Sequence, residues 1–302
     1  MPNIQLIVNP MAGAGKTVKL LPSIKDILNN QGLDYDCKIT EAPGHAVFLA
    51  QDAVKNGYKI IISAGGDGTI NEIVNGINNA NGLNSISLGI ISIGTGADYI
   101  RTVGIPRYYM DACKKFSNPV TKKVDIGLVE YCKNNARSSR LFVNFAGLGF
   151  DAEIVKRTTM KYKSLGKVSA YLLALFTTLV AYKNKNVTLQ INSDKHSYSI
   201  CTVIMGNGKY GGGGMMTTPG ASVQDGLLDV LIVGNLSKFD LLKSLPTIYN
   251  GTHLSHPKVI LKQAVAIEVN SELDMPIQAD GEIIGETPAR FSVLPSALNL
   301  IV

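Results

Sequence analysis

The stretch SAGGDGTINEIVNGI, residues 63–77, decides the fold of the first part of the chain. The apolar run YKIIIS at 58–63 predicts a buried strand, and the apolar residues after position 69 recur at helical spacing. Between them, three glycines allow the main chain to approach a ligand closely. The helix that follows directs free N–H groups and a partial positive charge toward this loop, which favours phosphate binding. The loop residues are Gly65, Gly66, Asp67, Gly68 and Thr69.

A carboxylate lies in the middle of this anion-binding loop. Asp67 is unexpected there unless a cation mediates, and Mg²⁺ bound to a nucleotide would explain it. We therefore expect Asp67 to hold a catalytic magnesium ion on the phosphates. The alternative is a tight strand-to-helix turn in which Asp67 only caps the helix.

Strands and helices alternate along the first third of the chain. The pattern predicts strands at 4–8, 58–63 and 88–92, a strand ending at 37–40, and helices at 16–30, 44–56 and 69–79. Apolar strands that alternate with helices are typical of a parallel sheet covered by helices. We assign residues 1–122 to an α/β nucleotide-binding domain. Residues 297–302, at the end of the chain, are a candidate further segment of the same domain.

The pattern changes after Pro119. Apolar residues alternate with polar or small ones near 124–128 and again at 259–269, which predicts strands with one wet face. We assign residues 123–296 to a β-rich domain with inserted helices near 163–182 and 238–250. No internal repeat is visible.

Two further glycine loops follow predicted strands. The segment SIGTGADYIRT at 92–102 contains Gly94, Thr95 and Gly96, and VNPMAGAGKT at 8–17 contains Asn9, Pro10 and Gly13. The latter is not a P-loop, because Pro10 stands where the first glycine of that motif belongs. The sequence leaves the role of Lys16 open: its side chain either contacts a phosphate or is a solvated side chain of the helix. Ligands of open α/β folds bind at the carboxyl ends of strands, so three such loops together predict a nucleotide site.

These motifs resemble the diacylglycerol kinase catalytic-domain family, which includes bacterial lipid kinases and sphingosine kinases and is related to NAD kinases. The resemblance rests on the glycine loops and continues in order over nearly the whole chain. Its further segments are Thr40 ahead of 44–46, Asn71 and Glu72, 124–127, 144–149, 211–214 with Pro219, 225–229 and 280–282.

The resemblance implies a nucleotide-binding α/β domain, a β-sandwich domain, and an active-site cleft between them that binds ATP. Carried over by position, it implies nucleotide contacts from Asn9 to Gly13, from Thr40, from the segment Gly66 to Glu72 that includes Asn71, and from Thr95. It implies a structural Mg²⁺ held by the Asp225 side chain and by backbone oxygens of Ser222 and Leu227. It places the catalytic base in the Asp-Gly-Glu segment, at Asp280 or Glu282.

The chain departs from the family pattern at Ala97. The family usually has Asn before the aspartate that is Asp98 here. The resemblance therefore does not imply the polar contact near the phosphates that this Asn would make, although it still implies the loop itself.

The composition limits the classes of molecule that the protein is expected to bind. The net charge is +6, from 29 basic and 23 acidic residues, which favours an anionic partner. The sequence has no run of basic residues interleaved with aromatic residues, the pattern that would indicate binding of nucleic acid. The four scattered cysteines fit reduced thiols in the cytoplasm, and no signal peptide is visible. An apolar segment at 168–182 is flanked by Lys161, Lys163, Lys167, Lys183 and Lys185. It predicts either a packed helix or peripheral contact with an anionic inner membrane face.

The sequence predicts an ATP- and magnesium-dependent lipid kinase that phosphorylates a hydroxyl of a membrane lipid, most simply diacylglycerol to phosphatidic acid. A carboxylate in the 280–282 turn would accept the hydroxyl proton, and the sequence does not choose between Asp280 and Glu282. The alternatives are phosphorylation of a soluble substrate such as NAD, and a non-catalytic nucleotide- or lipid-binding regulator. The oligomeric state, a homodimer included, is left open.

Overall fold

The computed structural model describes residues 3–133, 136–161 and 167–302. Lys163, one of the lysines expected at a membrane surface, lies outside the described residues.

The first part of the chain alternates strands and helices as expected. The strands are β1 (Ile4–Val8), β2 (Tyr35–Ile39), β3 (Ile60–Gly65) and β4 (Ser87–Ser92). The helices are α1 (Lys16–Asn30), α2 (His45–Lys55), α3 (Asp67–Asn79), α4 (Asp98–Val103) and α5 (Tyr109–Lys114). The predicted elements are thus confirmed to within a few residues at each end.

The strands β1–β4 pair in parallel, in the order β2-β1-β3-β4. Successive residues of a strand face opposite sides, so Leu6 packs in a cluster with Ile24 of α1 while Ile7 packs in a cluster with Ile73 of α3. Helices therefore cover both faces of the sheet. All four strands end at the same edge, where the three glycine loops begin.

The rest of the chain is mainly antiparallel. Its strands are β5 (Thr121–Lys133), β6 (Ala136–Phe142), β7 (Phe145–Gly149), β8 (Lys185–Ile191), β9 (Asp194–Gly206), β10 (Leu228–Gly234), β11 (Val259–Ala264), β12 (Ala266–Ser271), β13 (Pro276–Ala279) and β14 (Glu282–Ile301). Its helices are α6 (Phe150–Lys161), α7 (Lys167–Ala181) and α8 (Lys238–Ser244). Helix α6 is not predicted by the sequence. The predicted helix at 238–250 is shorter, because Pro246 has no N–H to continue it and a 3-10 turn, Leu245–Tyr249, takes over.

The long strand β14 joins the two parts. It pairs with β5, β12 and β13, and near its end Asn299 and Leu300 pair in parallel with Ser87 and Leu88 of β4. The hydrogen-bonded ladder therefore runs without a break from the first part of the chain to the second. The domain boundaries at 122 and 296 stay predictions.

Two layers cover opposite faces of the antiparallel strands. Along β9, Val203 and Met205 face the main core of the second part, while Cys201 and Ile204 face a separate cluster formed with α6 and α7. These helices bury an apolar layer on the outer face of β9 and β10. In the described ranges, no helix is long and apolar enough to cross a bilayer.

Candidate active site

The second and third glycine loops pack against each other. A Cβ on Gly94 would lie 2.7 Å from the Cα of Gly66, and one on Gly65 would lie 2.6 Å from Thr69 Oγ1. Both contacts are closer than real Cβ atoms allow, so glycine is required at these positions. Gly68 is different, since a Cβ there meets nothing within 4 Å. The surface over Gly68, at the N-terminus of α3, is therefore open to a ligand.

The first loop joins the other two. Asn9 Nδ2 donates to Thr69 Oγ1 over 2.9 Å, and Pro10 lies in the turn that follows Asn9. Gly13 has a φ of +59°, and a Cβ there would lie 2.4 Å from the Ile93 carbonyl oxygen. The three loops predicted to form one site thus lie together. Thr95 is exposed at the tip of the third loop.

The Gly15-Lys16-Thr17 sequence is not used as in a P-loop. The Thr17 hydroxyl is buried and donates to the Ala12 carbonyl over 3.2 Å, so it does not face a ligand. Lys16 is exposed as the first residue of α1. The start of α1 is an ordinary helix start after a left-handed Gly15.

Two carboxylates converge above Gly96. A Cβ on Gly96 would lie 2.9 Å from Asp67 Oδ2 and 3.4 Å from Asp98 Oδ2. The Asp67 oxygens accept hydrogen bonds from the backbone N–H groups of Asp98 and Tyr99, so Asp67 caps α4 rather than its own helix. Burial raises the pKa of Asp98, and the neighbouring Asp67 carboxylate raises it further. A pair of nearby carboxylates fits a divalent cation, which would relieve their repulsion.

Two of the expected nucleotide contacts have structural partners. Glu72 accepts hydrogen bonds from the backbone N–H groups of Gly44 and Ala46, at 3.0 and 3.2 Å, and so caps the N-terminus of α2. Thr40 is buried, and its backbone N–H donates to the Val8 carbonyl. These residues hold the walls of the loop cluster in place.

Asp280 is anchored by four donors. Its carboxylate accepts hydrogen bonds from the backbone N–H groups of Val143, Asn144 and Phe145 at 2.7–3.1 Å, and from Asn71 Nδ2 at 2.8 Å. Burial raises the pKa of Asp280 to about 6, although these hydrogen bonds favour the ionised form. Because Asn71 belongs to α3 and the other donors follow β6, Asp280 joins the two parts of the chain.

Glu282 has a different environment. Its side chain is about half exposed, and Arg140 Nη2 donates to Glu282 Oε2 over 2.7 Å and to Asn71 Oδ1 over 2.8 Å. Arg140 could not be predicted from the sequence, because a single arginine in a strand gives no local signal. It places Asn71, Asp280 and Glu282 in one hydrogen-bonded network.

A deep apolar cavity of about 410 Å³ opens beside these groups. Asp67, Asp98 and Asp280 line its polar end. Its walls come mainly from α6, α7, β9, β10 and the segment around α8, including Ile154, Leu175, Ile204, Leu231, Leu241 and Ile248. The volume lies within the usual range for small-molecule sites. An apolar ligand would thus present one end to the carboxylates and the glycine loops.

Comparisons with known proteins agree with this arrangement. Residues 3–129 match the diacylglycerol kinase catalytic domain, and residues 144–302 match the YegS C-terminal NAD kinase beta sandwich-like domain. A diacylglycerol kinase of Staphylococcus haemolyticus is 31% identical over 287 residues, which cover 95% of this chain and 84% of that protein. A diacylglycerol kinase of Staphylococcus aureus is also 31% identical, over 95% of this chain and 88% of that protein.

The chain belongs to the diacylglycerol kinase family.

Solved structures give the same result for the fold. A crystal structure from Bacillus anthracis, of a chain provisionally assigned as a diacylglycerol kinase, superposes with a TM-score of 0.78 at 27% identity. The match covers 99% of this chain and 96% of that one. Membership of the family confirms the predictions of an enzyme of the lipid kinase type and of a catalytic part followed by a β-rich part.

The departure from the diacylglycerol kinase pattern at Ala97 has a backbone consequence. Ala97 caps the N-terminus of α4 with a φ of +56°, in the left-handed region. Asn tolerates this region better than Ala does. The usual family residue would therefore fit the backbone here, and Ala97 holds it at a cost in stability.

The loop expected to hold a structural cation is fixed by Asp125. The Asp125 carboxylate accepts hydrogen bonds from the backbone N–H groups of Gly226 and Ser296, at 2.8 and 2.6 Å. In this loop, Asp225 Oδ1 accepts from the Leu227 N–H, and Ser222 Oγ accepts from the Gln224 N–H.

A second carboxylate near this loop also fits a cation. Burial raises the pKa of Asp229, and the nearby Asp225 raises it further. Asp229 Oδ2 is buried without a hydrogen-bond partner among the described residues. Across the part of the chain that the structure describes, no cluster of three or more His, Cys, Asp or Glu side chains is formed. A cation at Asp225 would accordingly need backbone oxygens such as those of Ser222 and Leu227.

The two histidines of the sequence 253–256 have separate environments. His253 is buried, with Nε2 3.1 Å from the Thr217 carbonyl oxygen, and burial lowers its pKa. His256 Nδ1 accepts from the Lys258 N–H. These contacts give both histidines structural roles.

Proposed function

We propose that this protein is an ATP- and Mg²⁺-dependent lipid kinase that transfers the terminal phosphate of ATP to a hydroxyl of a membrane lipid, with diacylglycerol as the acceptor and phosphatidic acid as the product. The supporting observation is the apolar cavity of about 410 Å³ whose polar end carries Asp67, Asp98 and Asp280. Apolar walls suit acyl chains and give little to a soluble dinucleotide such as NAD. The related staphylococcal proteins are named diacylglycerol kinases.

The three glycine loops would bind the nucleotide. The open surface over Gly68 and the N–H groups at the start of α3 suit phosphate oxygens, and the exposed Thr95 hydroxyl lies on the adjoining loop. Asp67, with Asp98 beside it, would hold Mg²⁺. When bound, this ion would neutralise charge on the transferred phosphate.

Glu282 is the better candidate for the catalytic base. Each Asp280 oxygen already accepts two hydrogen bonds, which uses the ordinary acceptor capacity of a carboxylate. Among the described residues, Glu282 accepts only from Arg140, through Oε2. Glu282 Oε1 would take the proton of the lipid hydroxyl while Asp280 positions the turn.

The experiment is transfer of labelled phosphate from ATP, with Mg²⁺, to lipids in mixed micelles. The panel contains diacylglycerol, phosphatidylglycerol and a long-chain alcohol, and NAD is tested beside it. We expect label in diacylglycerol and its loss when Mg²⁺ is chelated. Label in NAD alone, or in no lipid, would overturn the proposal.

We further propose that the protein contacts an anionic membrane through the outer faces of α7 and α8. Leu173, Phe176 and Val180 are exposed along one side of α7, and Phe239 and Leu242 are exposed on α8. Lys238 Nζ donates to the Val180 carbonyl, so the two helices are in contact. Both helices also line the apolar cavity, and a lipid leaving a bilayer here would have a short path into it.

Exposed lysines add charge complementarity. Lys183 and Lys243 lie at the ends of these helices, where they suit anionic headgroups. We expect Phe176→Ser with Phe239→Ser to reduce co-sedimentation with phosphatidylglycerol vesicles about tenfold. Phosphorylation of a short-chain diacylglycerol below its micellar concentration should be retained. Phe48→Ser, which changes an exposed aromatic on α2, is the matched control. Vesicle binding that the double substitution leaves unchanged contradicts membrane contact through the outer faces of α7 and α8.

A further inference from the structure

Asn144 is a buried polar side chain without a partner at the polar end of the cavity. It lies between β6 and β7 and is 3% exposed. Within the described residues, its Oδ1 is buried with no hydrogen-bond partner, and its Nδ2 donates to none. Asn144 lines the apolar cavity together with Asp67, Asp98 and Asp280. Since buried polar groups are normally hydrogen-bonded, this amide is an exception.

The backbone holds Asn144 firmly beside the 280–282 turn. Its N–H donates to Asp280 Oδ1 over 3.0 Å, and its carbonyl oxygen accepts from the N–H groups of Asn207 and Gly208, both over 2.8 Å. A Cβ on Gly208 would lie 2.6 Å from Asn144 Oδ1, so the glycine leaves the space that the amide occupies. Asn144 therefore has a fixed position relative to Asp280 before any ligand binds.

In the free protein, this amide costs stability. A buried N–H or C=O group without a partner loses its hydrogen bonds to water on folding and gains none in return. An apolar side chain of similar size, such as leucine, would fill the same space without that loss. The amide at position 144 therefore does not favour folding of the free chain. A ligand that supplies the missing hydrogen bond would offset the loss.

The atom left for a ligand selects the kind of group that binds. Because Oδ1 is buried against Gly208, the amide nitrogen Nδ2 is the atom that remains, and it can only donate. Its partner must therefore be an oxygen that accepts. Asn144 lies in the cavity wall rather than in the three glycine loops, which favours an oxygen of the lipid over one of the nucleotide. Diacylglycerol carries two ester carbonyl oxygens close to its one hydroxyl, whereas a long-chain alcohol carries none.

We infer that Asn144 Nδ2 donates a hydrogen bond to an ester carbonyl oxygen of the acceptor lipid and thereby places the neighbouring hydroxyl at the 280–282 turn. Asn144 selects acylglycerols over ether lipids and alcohols with the same chains. This inference rests on the proposed function and names the part of the acceptor that is recognised. Asn144 acts on specificity and position, and it takes no part in proton transfer.

The experiment compares two ligands that differ in their carbonyl oxygens alone. Dihexanoylglycerol carries two ester carbonyls, and 1,2-di-O-hexylglycerol has the same hydroxyl and chain length with ether links. Binding of each to the full chain, as wild type and as Asn144→Leu, is measured by equilibrium dialysis below the micellar concentration. We expect the wild type to bind the ester about tenfold more tightly than the ether. In Asn144→Leu this preference should fall to less than about twofold, since the donor is gone.

Thermal unfolding and kinetics supply readouts that separate this role from a structural one. The unfolding temperature of Asn144→Leu should equal or exceed that of the wild type, because the amide has no partner among the described residues to lose. The KM for ATP should be unchanged. Where Asn144→Leu fails to fold, Asn144→Ala removes the same amide and serves in its place.

Thr158→Val is the matched control. Thr158 lines the same cavity, but its hydroxyl donates to the Ile154 carbonyl of its own helix over 2.8 Å. We expect this control to keep the preference of the wild type for the ester.

A wild type without preference for the ester, or a preference that Asn144→Leu leaves unchanged, overturns the inference. Equal weakening for ester and ether overturns it too, because the amide would then contact the reacting oxygen or the transferred phosphate. A wild type that transfers phosphate to no lipid overturns the proposed function instead. The two failures remain distinguishable, because the dialysis measurement does not depend on turnover.

Discussion

At the scale of single residues, the Asp-Gly-Glu turn separates two roles that the sequence could not assign. Asp280 is anchored by four hydrogen bonds and joins Asn71 to the backbone after β6, while Glu282 is half exposed and held by Arg140. Two carboxylate side chains within three positions thus have different surroundings. The difference comes from long-range contacts, which no local pattern reports.

This difference predicts that one conservative substitution lowers activity and the other lowers stability. Glu282→Gln should lower kcat by about 10²–10⁴-fold and leave the free energy of unfolding within about 0.5 kcal/mol, because it removes a proton acceptor at a half-exposed site. Asp280→Asn should lower the free energy of unfolding by about 1–3 kcal/mol, because the amide cannot accept from all four donors. Steady-state kinetics and urea unfolding measure the two effects. Equal loss of kcat with no loss of stability in Asp280→Asn contradicts the assignment.

Ala97 gives a second prediction at this scale. Its φ of +56° is strained for alanine and free of strain for glycine. Ala97→Gly should therefore change the free energy of unfolding by less than about 0.5 kcal/mol, because relief of about 1–2 kcal/mol of strain offsets the loss of a buried methyl group and the greater flexibility of the unfolded chain. Ala112→Gly, at a buried position inside α5, is the control and should lower it by about 1 kcal/mol or more. A loss in Ala97→Gly as large as the loss in Ala112→Gly contradicts strain at Ala97.

At the scale of elements, the sequence predicts the first part of the chain well. There the hydrophobic periodicity and the glycine-rich turns indicate the same element boundaries. Apolar strands followed by glycine loops and amphipathic helices locate β1, β3, β4, α1, α2 and α3 within a few residues. Helix α6 was missed, since its start at Phe150 continues a glycine-rich strand end without a helix-start signal. Helix α6 matters for the site, because it forms part of the wall of the apolar cavity.

The start of α3 carries a prediction that separates stability from binding. Gly68 is exposed, and a Cβ there meets nothing within 4 Å. Gly68→Ala should leave the free protein as stable as the wild type or stabilise it by up to about 1 kcal/mol, since Ala favours a helix over Gly. The methyl group would occupy the surface proposed for phosphate, so nucleotide affinity should fall at least tenfold.

Gly82→Ala provides the contrast for this test. Its Cβ would lie 2.8 Å from the Val54 side chain, away from the glycine loops, so it should lower stability and leave nucleotide affinity unchanged once folded. Calorimetric titration with ATP and Mg²⁺, beside thermal unfolding, measures both quantities. Unchanged ATP affinity in Gly68→Ala would place the phosphates elsewhere.

At the scale of the whole molecule, β14 explains why the two parts cannot be understood separately. Its 20 residues pair with four other strands, and the register shifts between Leu294 and Leu298. Ser296, with a φ of +51°, lies within that irregularity and donates its N–H to Asp125. A period-two pattern predicts strands but not a break in register, so the sequence could not show how the loop near Asp225 is fixed to the end of the chain.

The junction between the two parts should make stability depend on pH in an unusual direction. Burial raises the pKa of Asp280 from 3.8 to about 6. Between these values the folded chain keeps a proton that the unfolded chain releases, so the free energy of unfolding falls as pH rises from about 4 to about 6. The expected loss from this group is on the order of 3 kcal/mol, and it stays lost at higher pH. Burial raises the pKa of Asp98, Asp151 and Asp229 too, and these groups act in the same direction.

His253 acts in the opposite direction, because burial lowers its pKa and acid therefore favours the unfolded chain below about pH 6.5. The dependence of stability on pH in the wild type alone combines these effects. A comparison with Asp280→Asn isolates the contribution of Asp280 at the junction. The other groups are present in both proteins, so they cancel in the difference between the two profiles. We expect the wild type to lose more stability than the variant between pH 4.5 and pH 7, measured by urea unfolding at steps of half a pH unit. Parallel profiles would mean that the four donors around Asp280 offset its burial completely, and that this junction does not respond to pH.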